Sequence, residues 1–386
     1  METLKSACGQ LMMNPETKAK LRHVQKILVP LATFFVMAYG SWAYGHLFCY
    51  KVVHQHLNMH KSITIGLMVT EAILFCYSIF LWSSIVYLVG PGYQPTVLPY
   101  GQITTVDTNN ILENPYYDPK NQHNRPIQSE APLSTHPSSQ LPNSVYCSKP
   151  PEMYVCDENG YPPWCTMCQS IKQPRTHHST HLNKCIWKFD HYCLWIGQVI
   201  GGANYKLFLQ FTLTLVLLST LISVSIIAVY FPNINSTQHR VLHRNKLIEA
   251  NVIVIFILST VGGILCFMLL TEHFWFIARN QTSIEMIQRK NSSRSTYREY
   301  IAVFLPEQGE RRVIEAPYNI FQRRYWTRTS IIKNFKQQVG LSPWQWVLPT
   351  TGKYQELDFK LGENYCSFVA ANLANTTKIY VEGDHL

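Results

Sequence analysis

Charge is what this sequence has least of. Only 15% of its 386 residues are Asp, Glu, Lys or Arg, and from Leu207 to Gln238 there is neither a charged residue nor a histidine. A stretch of that kind offers water no polar face, which excludes the amphipathic surface helix of a soluble domain. No internal repeat is present, so solenoid and propeller architectures are excluded too. No base-reading module accompanies the net charge of +10, and nucleic acid is not an expected partner. The eleven cysteines show no regular pairing, which argues against a secreted disulfide framework.

What the chain does have is four apolar runs: 27–50, 63–89, 207–231 and 252–270. Each reaches the roughly 20 residues needed to cross a hydrocarbon core as a helix. Lys and Arg set the expected orientation. Five precede the first run, two lie between the first and second, and eight lie between the second and third; three follow the third, and fifteen lie in the tail. Both termini and the long central loop are therefore expected on the cytosolic side. There the positive charge suits the anionic leaflet of the lipid bilayer. Segment 1–26 is polar, and no cleavable signal peptide is expected before a first run long enough to stay in the membrane.

Residues 91–160 read as a Pro-rich cytosolic connector, since Pro91 to Pro151 holds eleven of the chain's 21 prolines. Residues 271–386 form a polar tail with an aromatic patch at Trp344 and Trp346. That patch suits either the membrane interface or the core of a small tail domain. Glu71 lies inside the second run, where a bare charge is expensive, and a protonated or hydrogen-bonded glutamate is expected there. The sequon at Asn235 falls in an expected luminal loop, close to the bilayer.

The chemistry concentrates in 161–206. Cys165 and Cys168 share a tight turn, and His178 and Cys185 follow at a distance. A Cys3His set of this kind is a closed tetrahedral site for one structural Zn2+. Five residues past Cys185 begins Asp190-His191-Tyr192-Cys193, which puts Cys193 eight past it. Cys193 is not needed to complete the tetrad and is free to react. A thiol with a free pKa of about 8.5 is a poor nucleophile at neutral pH unless a neighbour takes its proton. His191 can act as that base, and Asp190 can orient the imidazole and stabilise its charged form.

Cys165 to Tyr205 resembles the cysteine-rich domain of the DHHC palmitoyltransferases, through Lys172-Gln173-Pro174-Arg175, His177-His178, Asp190 to Cys193, Trp195, Gly201, Asn204 and Phe208. The resemblance continues in Gly90-Pro91-Gly92, in Thr282-Ser283-Ile284-Glu285, and in Asn334 ahead of Trp344 and Trp346. It implies an all-α integral membrane protein: four transmembrane helices with a small cytosolic zinc-bound domain between helices 2 and 3. It also implies a protein S-acyltransferase that loads palmitoyl-CoA onto Cys193 and passes the acyl group to cysteines of membrane-associated substrate proteins. Lys172, Arg175 and His177 are the candidates for the CoA phosphates, with a solvated basic turn as the alternative. The chain departs from the family at its second zinc site, whose four positions are here Ser179, Leu182, Tyr192 and Val199. None is a good ligand, so packing is expected to replace that ion; His181 and Cys156 are the donors from which a substitute could be built. Leu194 replaces the family's usual proline after the reactive cysteine. Two other classes compete: a silent zinc-domain adaptor, and a small transporter, for which Glu71 is thin support.

Overall fold

The computed structural model describes residues 15–94, 153–157, 160, 162–233, 246–292, 299–305, 310–316, 326, 330–352 and 378–381. Most of the Pro-rich connector lies outside them, as does Asn235.

Four helical segments are long and apolar enough to cross a membrane, at Val24–His56, Lys61–Val89, Tyr205–Asn233 and Lys246–Ala278. The first is α1 (Pro15–Trp42), which carries Pro30 inside it and winds on in a wider π-helical run to His56. Helix α2 (Lys61–Ser83) also ends in a π-helical run, which stops at Gly90 with φ 66°. Helices α3 (Tyr205–Ser225) and α4 (Lys246–Ala278) complete the set.

Two apolar clusters hold the helices together. In one, Tyr44, Phe48, Val52 and Val53 of the first span meet Leu218, Ile222 and Ile226 of the third and Val252 and Ile255 of the fourth. In the other, Leu81 and Ile85 of the second span meet Leu207, Phe208 and Phe211 of α3, and Leu270 and Ile277 of α4. Phe35, Ile73, Leu265 and Met268 stay exposed on the outer faces, as lipid-facing side chains should. Glu71 is buried, and its Oε1 has no hydrogen-bond partner among the described residues. The chain is thus a multi-pass membrane protein.

Between the second and third spans the chain folds into three two-stranded hairpins. They are β2 (Trp164–Cys165) with β3 (Ser170–Ile171), β4 (His177–Ser179) with β5 (Lys184–Ile186), and β6 (His191–Cys193) with β7 (Gln198–Ile200). The Gly90-Pro91-Gly92 turn fastens them beneath α2. The Trp187 amide donates to the Gly92 carbonyl at 3.0 Å, and the Gln94 amide donates to the Cys185 carbonyl at 2.9 Å. Two glycines permit the close approach. A Cβ on Gly202 would lie 2.3 Å from the Trp187 ring, and one on Gly197 (φ 76°) would lie 2.6 Å from Pro30 of α1.

Outside the spans there is also a four-stranded antiparallel sheet, an addition to the helical architecture expected from the sequence. Its order is β1 (Met153–Cys156), β8 (Glu299–Leu305), β9 (Glu310–Ala316), β10 (Lys378–Val381). Strand β1 therefore gives regular structure to the end of a segment expected to be an extended connector. Helices α5 (Ser283–Ser292), α6 (Ile331–Val339) and α7 (Pro343–Val347) lie between these strands in the tail.

Candidate active site and metal centre

The β4–β5 hairpin sets His178 opposite Cys185, and the turn after β2 brings Cys165 and Cys168 to the same point. Nδ1 of His178 lies 3.5 Å from Sγ of Cys165 and 3.3 Å from Sγ of Cys168. The Cys168 amide donates to Sγ of Cys165 at 3.4 Å, the kind of bond that stabilises a thiolate. The ligand atoms of all four residues lie within 4.8 Å of one another. Burial and the neighbouring sulfurs push the thiols of Cys168 and Cys185 up, whereas backbone and thiol donors overcome burial to bring that of Cys165 down. Three thiols this close resist full ionisation together, and a dication would remove that conflict. The donor set fits a structural Zn2+.

The family's second site does not fit a metal here. Val199 is fully buried and packs with Ile186, Phe189, Leu182, Tyr192 and Ile284. The His181 ring stacks on Tyr192 at 3.9 Å between centroids and 6° between planes. Cys156, the other donor considered for a substitute, belongs to a separate cluster with Tyr154, Ala302 and Val313.

Asp190, His191 and Cys193 reach one point because the loop into β6 and the strand itself are held from two sides. Within the hairpin, His191 pairs with Ile200 and Cys193 with Gln198. From the tail, Ser283 at the start of α5 clamps Asp190: its amide donates to Oδ1 at 2.8 Å and its hydroxyl to the Asp190 carbonyl at 2.7 Å. Oδ2 of Asp190 is then left for Nδ1 of His191, 2.7 Å away. Asp190 is 1% exposed and Cys193 7% exposed, whereas the His191 side chain keeps 29% of its surface exposed.

Burial by itself would raise the Asp190 carboxyl, but the hydrogen bond and charge of His191, with the Ser283 amide, hold it below the usual range. Burial would likewise lower His191. The hydrogen bonds and charges of Asp190 and Cys193 outweigh it and push the imidazole up to about 9. An aspartate that stays ionised beside an imidazole that readily takes a proton is the arrangement a thiol nucleophile needs.

Of the three cations expected at the CoA phosphates, Arg175 is placed otherwise. Its Nε and one terminal nitrogen bond Glu285 at 2.7 and 3.1 Å, and its terminal nitrogens reach Asn280 at 3.0 Å twice. It is 6% exposed and lies 5.4 Å from the Trp326 ring. This is an internal clamp between the hairpins and the α4–α5 turn. Lys172 and His177 are both half-buried, and burial lowers the His177 imidazole.

Sequence reasoning did not single out Ser283 or His273 as parts of the site. Ser283 was visible only as a conservative change within a motif. His273, on α4, lies beside Asp190 and His191, with ligand atoms of the three within 4.8 Å. A histidine near the end of an apolar run was the available signal.

Comparison with known proteins points to one family. The profile described as DHHC palmitoyltransferase matches residues 158–290. The chain is 32% identical to "Palmitoyltransferase PFA5" of Kluyveromyces lactis, over 89% of this chain and 87% of that one. It is 35% identical to the protein of the same name in Saccharomyces cerevisiae, over 85% and 80%. With "Probable protein S-acyltransferase 13" of Arabidopsis thaliana the identity is 25%, over 48% and 51%.

Proposed function

The chain belongs to the DHHC palmitoyltransferase family and is a protein S-acyltransferase, and from that premise we propose that it works through an acyl-enzyme on Cys193. The observation that carries the proposal is the 2.7 Å contact between Asp190 and His191, next to a cysteine that packs against the spanning helices.

In the first step His191 takes the Cys193 proton and the thiolate attacks the thioester carbonyl of a long-chain acyl-CoA, with palmitoyl-CoA the expected donor. The tetrahedral intermediate collapses with cleavage of the bond to the CoA sulfur, and His191 returns the proton to that sulfur. In the second step a thiol of a membrane-associated protein gives its proton to His191 and attacks the Cys193 thioester. The acyl group moves, and Cys193 leaves as a thiolate paired with the imidazolium. Asp190 stays ionised throughout and keeps Nδ1 of His191 occupied, so that Nε2 does the proton transfer.

The acyl chain is assigned to the bundle beside Leu81, Ile85, Leu207 and Phe208, the neighbours of Cys193. Each methylene buried there contributes about 0.8 kcal/mol, less the chain order lost. Lys172 and His177 are assigned to the CoA phosphates. Zn2+ at Cys165, Cys168, His178 and Cys185 would supply folding free energy, not chemistry. The Lys and Arg distribution supports both termini and the 161–206 domain on the cytosolic side, where acyl-CoA is found.

A two-stage chase tests the scheme. Protein loaded with labelled palmitoyl-CoA and freed of excess donor should pass its label to a cysteine peptide in a membrane, with no CoA present. Label that moves only when acyl-CoA is present would mean direct transfer without an acyl-enzyme. Protein that never takes up label would favour the adaptor reading.

A further inference from the structure

Among the buried polar side chains of the fourth span, His273 sits beside Asp190 and His191. It is 3% exposed near the end of α4, and a buried imidazole there needs partners. One is Tyr205, the first residue of α3, whose hydroxyl lies 3.0 Å from Nδ1. The others are rings. His273 meets Phe208 edge-on at 4.9 Å, and Phe208 meets His191 edge-on at 5.3 Å. The centroids of His191 and His273 are 5.8 Å apart. We infer that His273 is a positioning residue which, with Phe208, fixes the plane of the His191 ring. The inference rests on the reading of His191 as the base.

The argument is one of remaining freedom. Asp190 is already fixed by the Ser283 amide and hydroxyl. The freedom left to the pair is rotation of the His191 ring, which would carry Nδ1 off Oδ2 and turn Nε2 away from Cys193. Phe208 and His273 occupy the volume into which the ring would turn, and Tyr205 holds His273 against swinging out. The three donors Asp190, His191 and His273 also have metal-binding spacing. Their atoms are engaged with one another and with neighbours, however: Oδ1 by Ser283, Oδ2 by His191 and Nδ1 of His273 by Tyr205. The cluster is therefore a finished internal network. Misplacing a reacting group by about 1 Å can cost on the order of 100-fold in rate, so a ring held at this distance has a large effect to exert.

Full-length protein in lipid nanodiscs, carrying His273→Phe, His273→Asn or Tyr205→Phe, tests the inference through the pH–rate profile of self-acylation. The titratable groups facing His273 are Asp190, His191 and Tyr205. His273→Phe keeps a ring but offers Tyr205 no acceptor. It should slow loading about tenfold or more at an acyl-CoA KM close to wild type, and move the rising limb of the profile to lower pH, because a loosened contact with Asp190 no longer holds the His191 imidazole up. His273→Asn retains an acceptor and should recover part of the rate and return the profile toward wild type. Wild-type rate and profile in His273→Phe would overturn the inference. So would a lower rate with an unmoved profile and no rescue by Asn, the mark of a purely structural residue. If His273→Phe fails to fold, Tyr205→Phe, which deletes one hydroxyl, decides by the same shift or its absence. Cys193→Ser run in parallel separates the two levels. Label surviving there would refute the underlying acyl-enzyme reading, whereas an inert Cys193→Ser beside an unaltered His273→Phe refutes the inference alone.

Discussion

Replacing Arg175 with methionine keeps much of the side chain's length and removes the guanidinium, and the outcome separates two roles for this residue. Its side chain is fully buried and that of Glu285 is 13% exposed, at 2.7 Å from each other. Deleting one partner of a buried ion pair costs about 3–5 kcal/mol, because the other charge is left uncompensated. Glu285 keeps one strong donor, the Thr282 amide at 2.9 Å, which moves the expected loss toward the lower end of that range. Against a total stability of about 5–15 kcal/mol, even 3 is a large share. The α4–α5 turn that Arg175 anchors carries Ser283, so the clamp on Asp190 should loosen as well. Arg175→Met should therefore lower the melting temperature of the purified chain and its yield of monodisperse protein, with loading falling in step. Arg175→Met combined with Glu285→Leu should recover part of the stability, since no charge is then stranded. The reasoning is refuted if Arg175→Met melts like wild type and shows only a raised KM for acyl-CoA, the behaviour of a phosphate ligand.

Other expectations follow from the same geometry. Metal analysis of the purified chain should give one zinc per molecule, and Cys185→Ser should lose both the zinc and folded protein; a ratio near two would show a rebuilt second site. The Asp190–His191 pair contributes its full stability between the two unperturbed values, 3.8 and 6.5, because Asp190 is shifted down and His191 up. That contribution should fade as pH rises through about 9, where His191 loses its proton, and also in acid as Asp190 takes one up. His191→Gln should accordingly flatten the stability curve between pH 6.5 and 9, and an unchanged slope would contradict the pairing. Tags near Ser138 and at the C-terminus should be digested in sealed vesicles with the cytosolic side out, and one beside Asn235 should be protected. Protection of the first two would reverse the proposed orientation.

The spans were legible because only isolated polar residues such as Glu71 interrupt them, and the metal centre because Cys-x-x-Cys with a distant His and Cys allows few other uses. The hairpins around it were not. Strands of two or three residues carry no alternation, and zinc knuckles are shaped by ligand geometry rather than by apolar patterning. The four-stranded sheet was hidden by distance: Met153 pairs with Val303, across two spans, and only their spatial meeting makes Met153–Cys156 a strand. At the site, Asp190, His191 and Cys193 could be singled out because they are sequence neighbours, whereas Ser283 and His273 reach them from other elements. Ending the fourth apolar run at Leu270 also placed His273 outside the membrane, where a histidine is unexceptional; α4 continues to Ala278 and buries it. Arg175 looked like a free cation in a basic turn, since its partner Glu285 lies 110 positions away.

Site mapping of the acyl group tests the central claim most directly. Wild-type protein would be incubated with an alkyne-tagged palmitoyl-CoA, quenched in acid, digested and analysed by mass spectrometry. The adduct should lie on Cys193, be released by neutral hydroxylamine as a thioester is, and vanish in Cys193→Ser, which should still fold and retain its zinc. A hydroxylamine-sensitive adduct that persists in Cys193→Ser, or maps to another cysteine in the wild type before Cys193 is filled, would contradict the account.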